Sequence, residues 1–171
     1  MPNWVDTNWN VTLPTNKVTR FLNYFLEGED RDKLKGKYLF RTFIDKESIS
    51  QVETEPGITC LTFVSQSAWS LKSILDDSGN NKGIVRCPSL SAICVDCEVI
   101  NLSADGDEPG MCFREHILWD STCGLSYDKE DVTLWSCDHC SSMGYWEDYD
   151  EDIDHSVCPE CGHKFNDEED N

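Results

Sequence analysis

The sequence predicts an α+β protein in two parts, a strand-and-helix domain over residues 1–133 and a small, acidic, metal-clipped module over residues 134–171. Three observations predict it. Along the first part the apolar residues switch between a period of two and a period near 3.6, the periods of strand and helix. Near the C-terminus two Cys-x2-Cys pairs stand seventeen residues apart. The charge, −19 from 33 acidic and 14 basic side chains, is concentrated behind residue 133.

In the first part, Trp9, Val11 and Leu13 alternate as one face of a strand does. Pro14-Thr15 then opens a segment with apolar residues at 18, 21, 22, 25 and 26, which is one face of a helix. Gly28 and the charged stretch 29–37 end it. Residues 38–44 and 58–64 are two β-rich runs with a polar loop between them. Residues 70–75 read as the start of a second helix, interrupted by the polar insert 76–83 and resumed at Pro88. Further strands are expected at 98–102 and 111–119, joined across the turn-rich stretch 104–110. The order β-α-β-β-α-β with one extra strand is that of a ferredoxin-like split βαβ sandwich.

The second part is read from its cysteines. The start, Met1-Pro2-Asn3-Trp4-Val5-Asp6, has no basic flank followed by an apolar stretch, so a cytoplasmic protein with reduced or metal-bound thiols is expected rather than disulfides. The last four of the ten cysteines stand as Cys137-Asp138-His139-Cys140 and Cys158-Pro159-Glu160-Cys161-Gly162. Two such pairs at this separation are the ligand spacing of a zinc ribbon, with Cys137, Cys140, Cys158 and Cys161 holding one structural Zn²⁺. Four thiolates leave no open position for a reacting water. Gly162 fits the tight turn, and Trp135, Tyr145, Trp146 and Phe165 supply the cover that so short a segment needs around its metal. His139, His155 and His163 lie close enough in sequence for one of them to replace a cysteine.

Residues 1–60 hold 8 basic and 9 acidic side chains, residues 61–133 hold 5 and 12, and residues 134–171 hold 1 and 12. A surface this negative disfavours nucleic acid and favours a basic protein as partner. Nothing approaches the roughly 18 unbroken apolar residues that cross a bilayer. Within the acidic module, Glu147, Asp148, Tyr149, Asp150, Glu151, Asp152 and Asp154 form a run between the two cysteine pairs. Its ordinary fate is a solvated loop. The sharper expectation is that carboxylates on a rigid clip imitate a phosphate backbone and occupy a basic groove of a nucleic-acid-handling protein. A calcium loop is a weaker fit, because the run lacks the glycine and the ligand spacing.

Enzyme readings have less to stand on. Cys94-Val95-Asp96-Cys97 is a third pair, which Cys87, Cys112, Cys123 or His116 could complete as a second metal site, but small core cysteines explain it more simply. A redox pair should open a helix, whereas this one closes one. His116 could activate a cysteine, yet no spacing orients it, and no phosphate-loop, nucleophile-elbow or zinc-protease motif is present. No enzyme is expected.

Three short motifs carry a family resemblance: Met1-Pro2-Asn3-Trp4, Phe63-Val64-Ser65-Gln66-Ser67-Ala68-Trp69-Ser70, and Glu108-Pro109-Gly110-Met111-Cys112-Phe113. In residue content and in order they resemble the YubB-type ferredoxin-like domain of phage and plasmid proteins, over about 125 residues. The resemblance implies that fold and a mobile-element origin, but no activity, since a ferredoxin-like fold hosts many functions. Together these readings lead to a phage accessory protein in the host cytoplasm that binds a basic host protein, most concretely an anti-CRISPR-like inhibitor of a defence nuclease. The alternative is a zinc-ribbon nucleic-acid-binding protein, for which the only cationic stretch is 31–37.

Overall fold

The computed structural model describes residues 4–25, 39, 42–68, 70–75, 88–108, 111–149 and 152–165. The insert 76–83, the cationic stretch 31–37, Asp150, Glu151 and the acidic tail 166–171 lie outside the described residues.

The architecture is α+β and mostly antiparallel sheet. Strand β1 (Trp4–Pro14) buries Val5, Thr7, Trp9, Val11 and Leu13 and exposes Asp6, Asn8 and Asn10, the alternation of a strand with one face on the core. A 3-10 turn (Thr15–Lys17) leads into helix α1 (Val18–Leu22), which buries Val18 and Phe21. Strands β2 (Thr42–Glu55) and β3 (Ile58–Ala68) form a hairpin around Pro56-Gly57, where Gly57 takes φ +82°. A second 3-10 turn (Leu71–Ile74) precedes helix α2 (Leu90–Asp96). Strands β4 (Asn101–Glu108), β5 (Phe113–Asp120) and β6 (Gly124–Asp131) then run as a meander.

Within the sheet the order is β2-β3-β1-β4-β5-β6, every neighbour antiparallel. The β1-α1-β2 and β3-α2-β4 connections therefore interleave, each passing over one strand of the other. The core lies on the face that meets the helices. There Trp9 stacks on Phe63, with ring centroids 5.6 Å apart, and Phe25 meets both edge-on. The Trp9 indole N–H donates to Ser65 Oγ at 2.7 Å, so the buried ring leaves no orphan donor.

Helix α2 shows why a cysteine pair can be structural. Ser89 caps its start by accepting from the Ala92 amide. At its end the Glu98 amide donates to Val95 O and the Val99 amide to Cys94 O, with Glu98 at φ +54°. That is a Schellman stop. Cys94 and Cys97 sit inside it, both fully buried.

Several extents differ from the sequence expectation, among them helix α1, which ends at Leu22, short of the expected apolar position Phe25. The polar stretch 45–55, expected as a loop, is the body of β2, which lies at the edge of the sheet and is exposed on both faces over most of its length. Residues 104–108, expected as a turn, belong to β4. Gly106 is there because a Cβ would lie 2.7 Å from Val5 Cγ1 and 2.8 Å from Leu71 Cδ1. Strand β6 was not expected at all, since its charged sequence hides the alternation. The second expected helix is the 3-10 turn Leu71–Ile74 at its start and α2 at its resumption.

One buried group ties these parts together. Glu115 on β5 is 2% exposed. Ser70 and Tyr127 donate hydroxyl hydrogens to its Oε1, and the Leu71 amide donates to Oε2 at 2.6 Å. Three donors offset the several kcal/mol that burying a lone carboxylate costs. No helix among the described residues is long and apolar enough to cross a membrane.

Candidate metal centre

Strands β7 (Leu134–Ser136) and β8 (Met143–Tyr145) pair as a short hairpin that presents Cys137 and Cys140 at its tip. The second pair sits in a matching turn closed by the Val157–Lys164 bridge. In the first knuckle the Ser141 amide donates to Cys137 O at 2.8 Å, and the Cys137 amide donates to Ser142 O at 2.9 Å. In the second the Gly162 amide donates to Cys158 O at 2.8 Å, and the Cys158 amide donates to His163 O at 2.7 Å. The two turns are built alike. Each places the residue after its second cysteine in the left-handed region, Ser141 at φ +60° and Gly162 at φ +71°.

This geometry brings all four sulfurs within 4.8 Å of one another. Two close pairs cross from knuckle to knuckle, Cys137 to Cys161 at 3.8 Å and Cys140 to Cys158 at 3.7 Å. Those lengths are far from the roughly 2.05 Å of a disulfide, and the described cysteines are all free. Four cysteines so placed could hold a metal ion. Cys137 and Cys158 are buried at 2% and 1% exposed. Trp135 covers them, packed among Trp146, Tyr149 and Phe165. A Cβ on Gly144 would lie 3.0 Å from Cζ2 of the Trp135 ring, so the ring packs closely on this backbone. Hydrogen bonds from the Ser142 hydroxyl and amide pull the Cys140 thiol down to about 6. Against the hydrogen bond from the His163 backbone, burial and the neighbouring sulfurs push Cys161 up to about 12, the opposed shifts of thiols that share one site. His139 and His163 stack with ring centroids 4.6 Å apart, His139 Nδ1 lies 3.8 Å from Cys161 Sγ, and the metal-capable set is made of the four cysteines.

The acidic run expected as a partner surface is exposed at Glu147, Asp148, Asp152 and Asp154, and several of its side chains also make contacts within the protein. Asp148 makes a bidentate ion pair with Arg114 of β5, at 2.6 and 2.8 Å. Glu147 accepts the Thr133 amide, Tyr149 donates its hydroxyl to Glu160, and Asp154 accepts the Ser156 amide. Asp152 is exposed, and Asp150 and Glu151 lie outside the described residues. The guanidinium holds the Asp148 carboxyl below the usual carboxylate range.

Carboxylates also gather on the face of the sheet that carries Arg114 and His116. Asp105 and Asp107 on β4, and Asp128 and Glu130 on β6, flank the outward-facing Arg114 and His116 of β5 in register. With Asp148 they line a hollow of about 370 Å³. Asp105 contacts His116 Nδ1, and Arg114 Nε donates to Asp107 at 3.2 Å. The signal available in the sequence was the i, i+2 recurrence of acids in 105–107 and 128–130, which puts both acids of each pair on one face of a strand. Among its described lining there is no serine, threonine, cysteine or lysine for His116 to activate.

The remaining cysteine pair is quiet. Burial pushes Cys94 up to about 12 and Cys97 up to about 11, which keeps both as thiols. Among the described residues, the only metal-capable cluster is the four cysteines of the ribbon. In comparisons with known proteins, no family model, curated protein or solved structure matches the chain.

Proposed function

We propose that this chain is a non-enzymatic accessory protein, clipped by one structural Zn²⁺, that binds a basic nucleic-acid-handling protein through its acidic surface. The fold in this reading is the ferredoxin-like sandwich of the YubB-type domain, supported by the interleaved strand order β2-β3-β1-β4. Zinc is supported by the sulfur spacing. Four sulfurs about 2.3 Å from a central ion stand about 3.8 Å apart at the corners of a tetrahedron, and the cross-knuckle separations are 3.8 and 3.7 Å. A closed set of four thiolates holds structure and offers no site for chemistry.

The observation that carries the partner reading is the carboxylate-lined side of the sheet around Asp105, Asp107, Asp128 and Glu130, which no helix among the described residues covers. Such a face attracts Lys- and Arg-rich grooves of the kind that hold phosphates. Its concrete form is an inhibitor of a bacterial defence nuclease that acts by imitating nucleic acid. The experiment is affinity capture from bacterial lysate at low and high salt, followed by DNA-binding assays on the protein retained. The expected partner binds DNA, loses it when this chain is added, and escapes the variant with Asp105, Asp107 and Asp128 changed to Asn and Glu130 to Gln. Unchanged retention by that variant overturns the reading, as does clear gel-shift binding of single-stranded DNA or RNA by the chain alone.

A further inference from the structure

We propose that metal occupancy at the four cysteines is coupled, through Arg114, to the charge of the open sheet face. The coupling starts from how little the ribbon has to fold with. Its buried set is Trp135, Cys137 and Cys158, with Trp146, Tyr149 and Phe165 only partly covered. A module of this size takes its folding free energy from its metal.

The ribbon core also aims two groups outward. Trp146 packs on Trp135 and Phe165 and opens the 3-10 turn Trp146–Asp148. Tyr145 precedes that ring and Asp148 follows it by two residues. Both are held on Arg114: the Tyr145 ring lies 4.3 Å from the guanidinium carbon, and the Asp148 carboxylate takes two of its N–H groups. Arg114 itself belongs to the sheet, where its third contact is Asp107.

With the metal bound, Arg114 is shared between two carboxylates, and the hollow lined by Asp105, Asp107, Asp128, Glu130 and Asp148 is acidic. Without it, the ribbon core loosens and Tyr145 and Asp148 leave. Arg114 is then a cation at the centre of the face, with Asp107 as its remaining ion-pair partner among these contacts. The metal thus sets the charge pattern of a surface it does not touch. Linkage makes the effect reciprocal: whatever Arg114 contributes to docking the ribbon, it contributes to metal affinity.

This inference rests on the structural-metal reading and not on any partner. It is tested by Zn²⁺ titration of the full chain in competition with a chromophoric chelator. A partly exposed ion pair and a cation–π contact together are expected to give about a 3- to 5-fold loss of Zn²⁺ affinity in Arg114→Gln. Asp148→Asn should lose less, because Tyr145 remains. The double variant should lose no more than Arg114→Gln alone. As a second readout, the Arg114 Nε–H resonance in the wild-type chain should shift when the metal is chelated, while Trp9 indole resonances stay. Zn²⁺ affinities equal within twofold across the series, or an Arg114 resonance unmoved by chelation, overturn the proposal. Failure here leaves the capture experiment above unaffected, and the reverse also holds.

Discussion

The two knuckles share a fold but not a residue at their left-handed position, and that asymmetry fixes the signs of a paired experiment. Ser141 sits at φ +60° and Gly162 at φ +71°. A side chain in this region costs about 1–2 kcal/mol, through the approach of Cβ to the following carbonyl oxygen. Glycine returns about 0.4–1 kcal/mol of that advantage, because its unfolded chain is freer. The net difference is about 0.5–1 kcal/mol in favour of glycine at either position. Nothing lies within 4 Å of a Cβ built on Gly162, so no packing change confuses the comparison there. Because metal binding and folding are linked in so small a module, the difference appears as metal affinity. Ser141→Gly should tighten Zn²⁺ by about 2- to 5-fold, and Gly162→Ser should weaken it by a similar factor. Chelator competition at fixed pH measures both. If Ser141→Gly binds more weakly than wild type while Gly162→Ser is unchanged, the knuckles are not the equivalent turns their hydrogen bonds describe.

Other expectations follow from the sheet and its helices. Glu115→Gln replaces an acceptor of three hydrogen bonds with a group that must donate among donors, and should lower unfolding stability by about 2–3 kcal/mol in urea titrations. Asp96 is held below the usual carboxylate range by the Tyr24 hydroxyl and by Arg20. Its contribution is therefore full above the unfolded value of about 3.9 and is lost as pH falls through the lower folded value. Asp96→Asn should flatten that acid limb in thermal melts taken between pH 5 and pH 2. Iodoacetamide followed by mass spectrometry should label the exposed Cys123 in the native protein and spare Cys94 and Cys97 until it unfolds.

What could be read from the sequence depended on whether the signal was local. The metal-capable cluster needed only the positions of four cysteines, because each pair is a single turn and the separation between pairs is one hairpin. Strand β1 was legible because Trp9, Val11 and Leu13 face a core on one side and water on the other. Strand β2 was not, because an edge strand exposed on both faces has no reason to alternate. Strand β4 was hidden by Gly106, whose usual meaning is a turn and whose meaning here is a close approach of Val5 and Leu71. The acidic run after Tyr145 was seen, but its fate was not. Asp148 is claimed by Arg114, thirty-four residues earlier, and nothing local announces such a pair.

The sheet ends in two edge strands, β2 and β6, and their sequences determine what the protein does at high concentration. An open edge is a row of peptide groups ready to accept a strand from another molecule. Along β2 stand Asp45, Lys46, Glu47, Glu53 and Glu55, with irregular register between Asp45 and Ser50. Along β6 stand Asp128, Lys129, Glu130 and Asp131. A second copy adding to the β6 edge would set acidic side chains against one another, and one adding to β2 would also meet a bent template. The polar character that conceals these strands from pattern reading therefore also disfavours edge-to-edge pairing with a second copy.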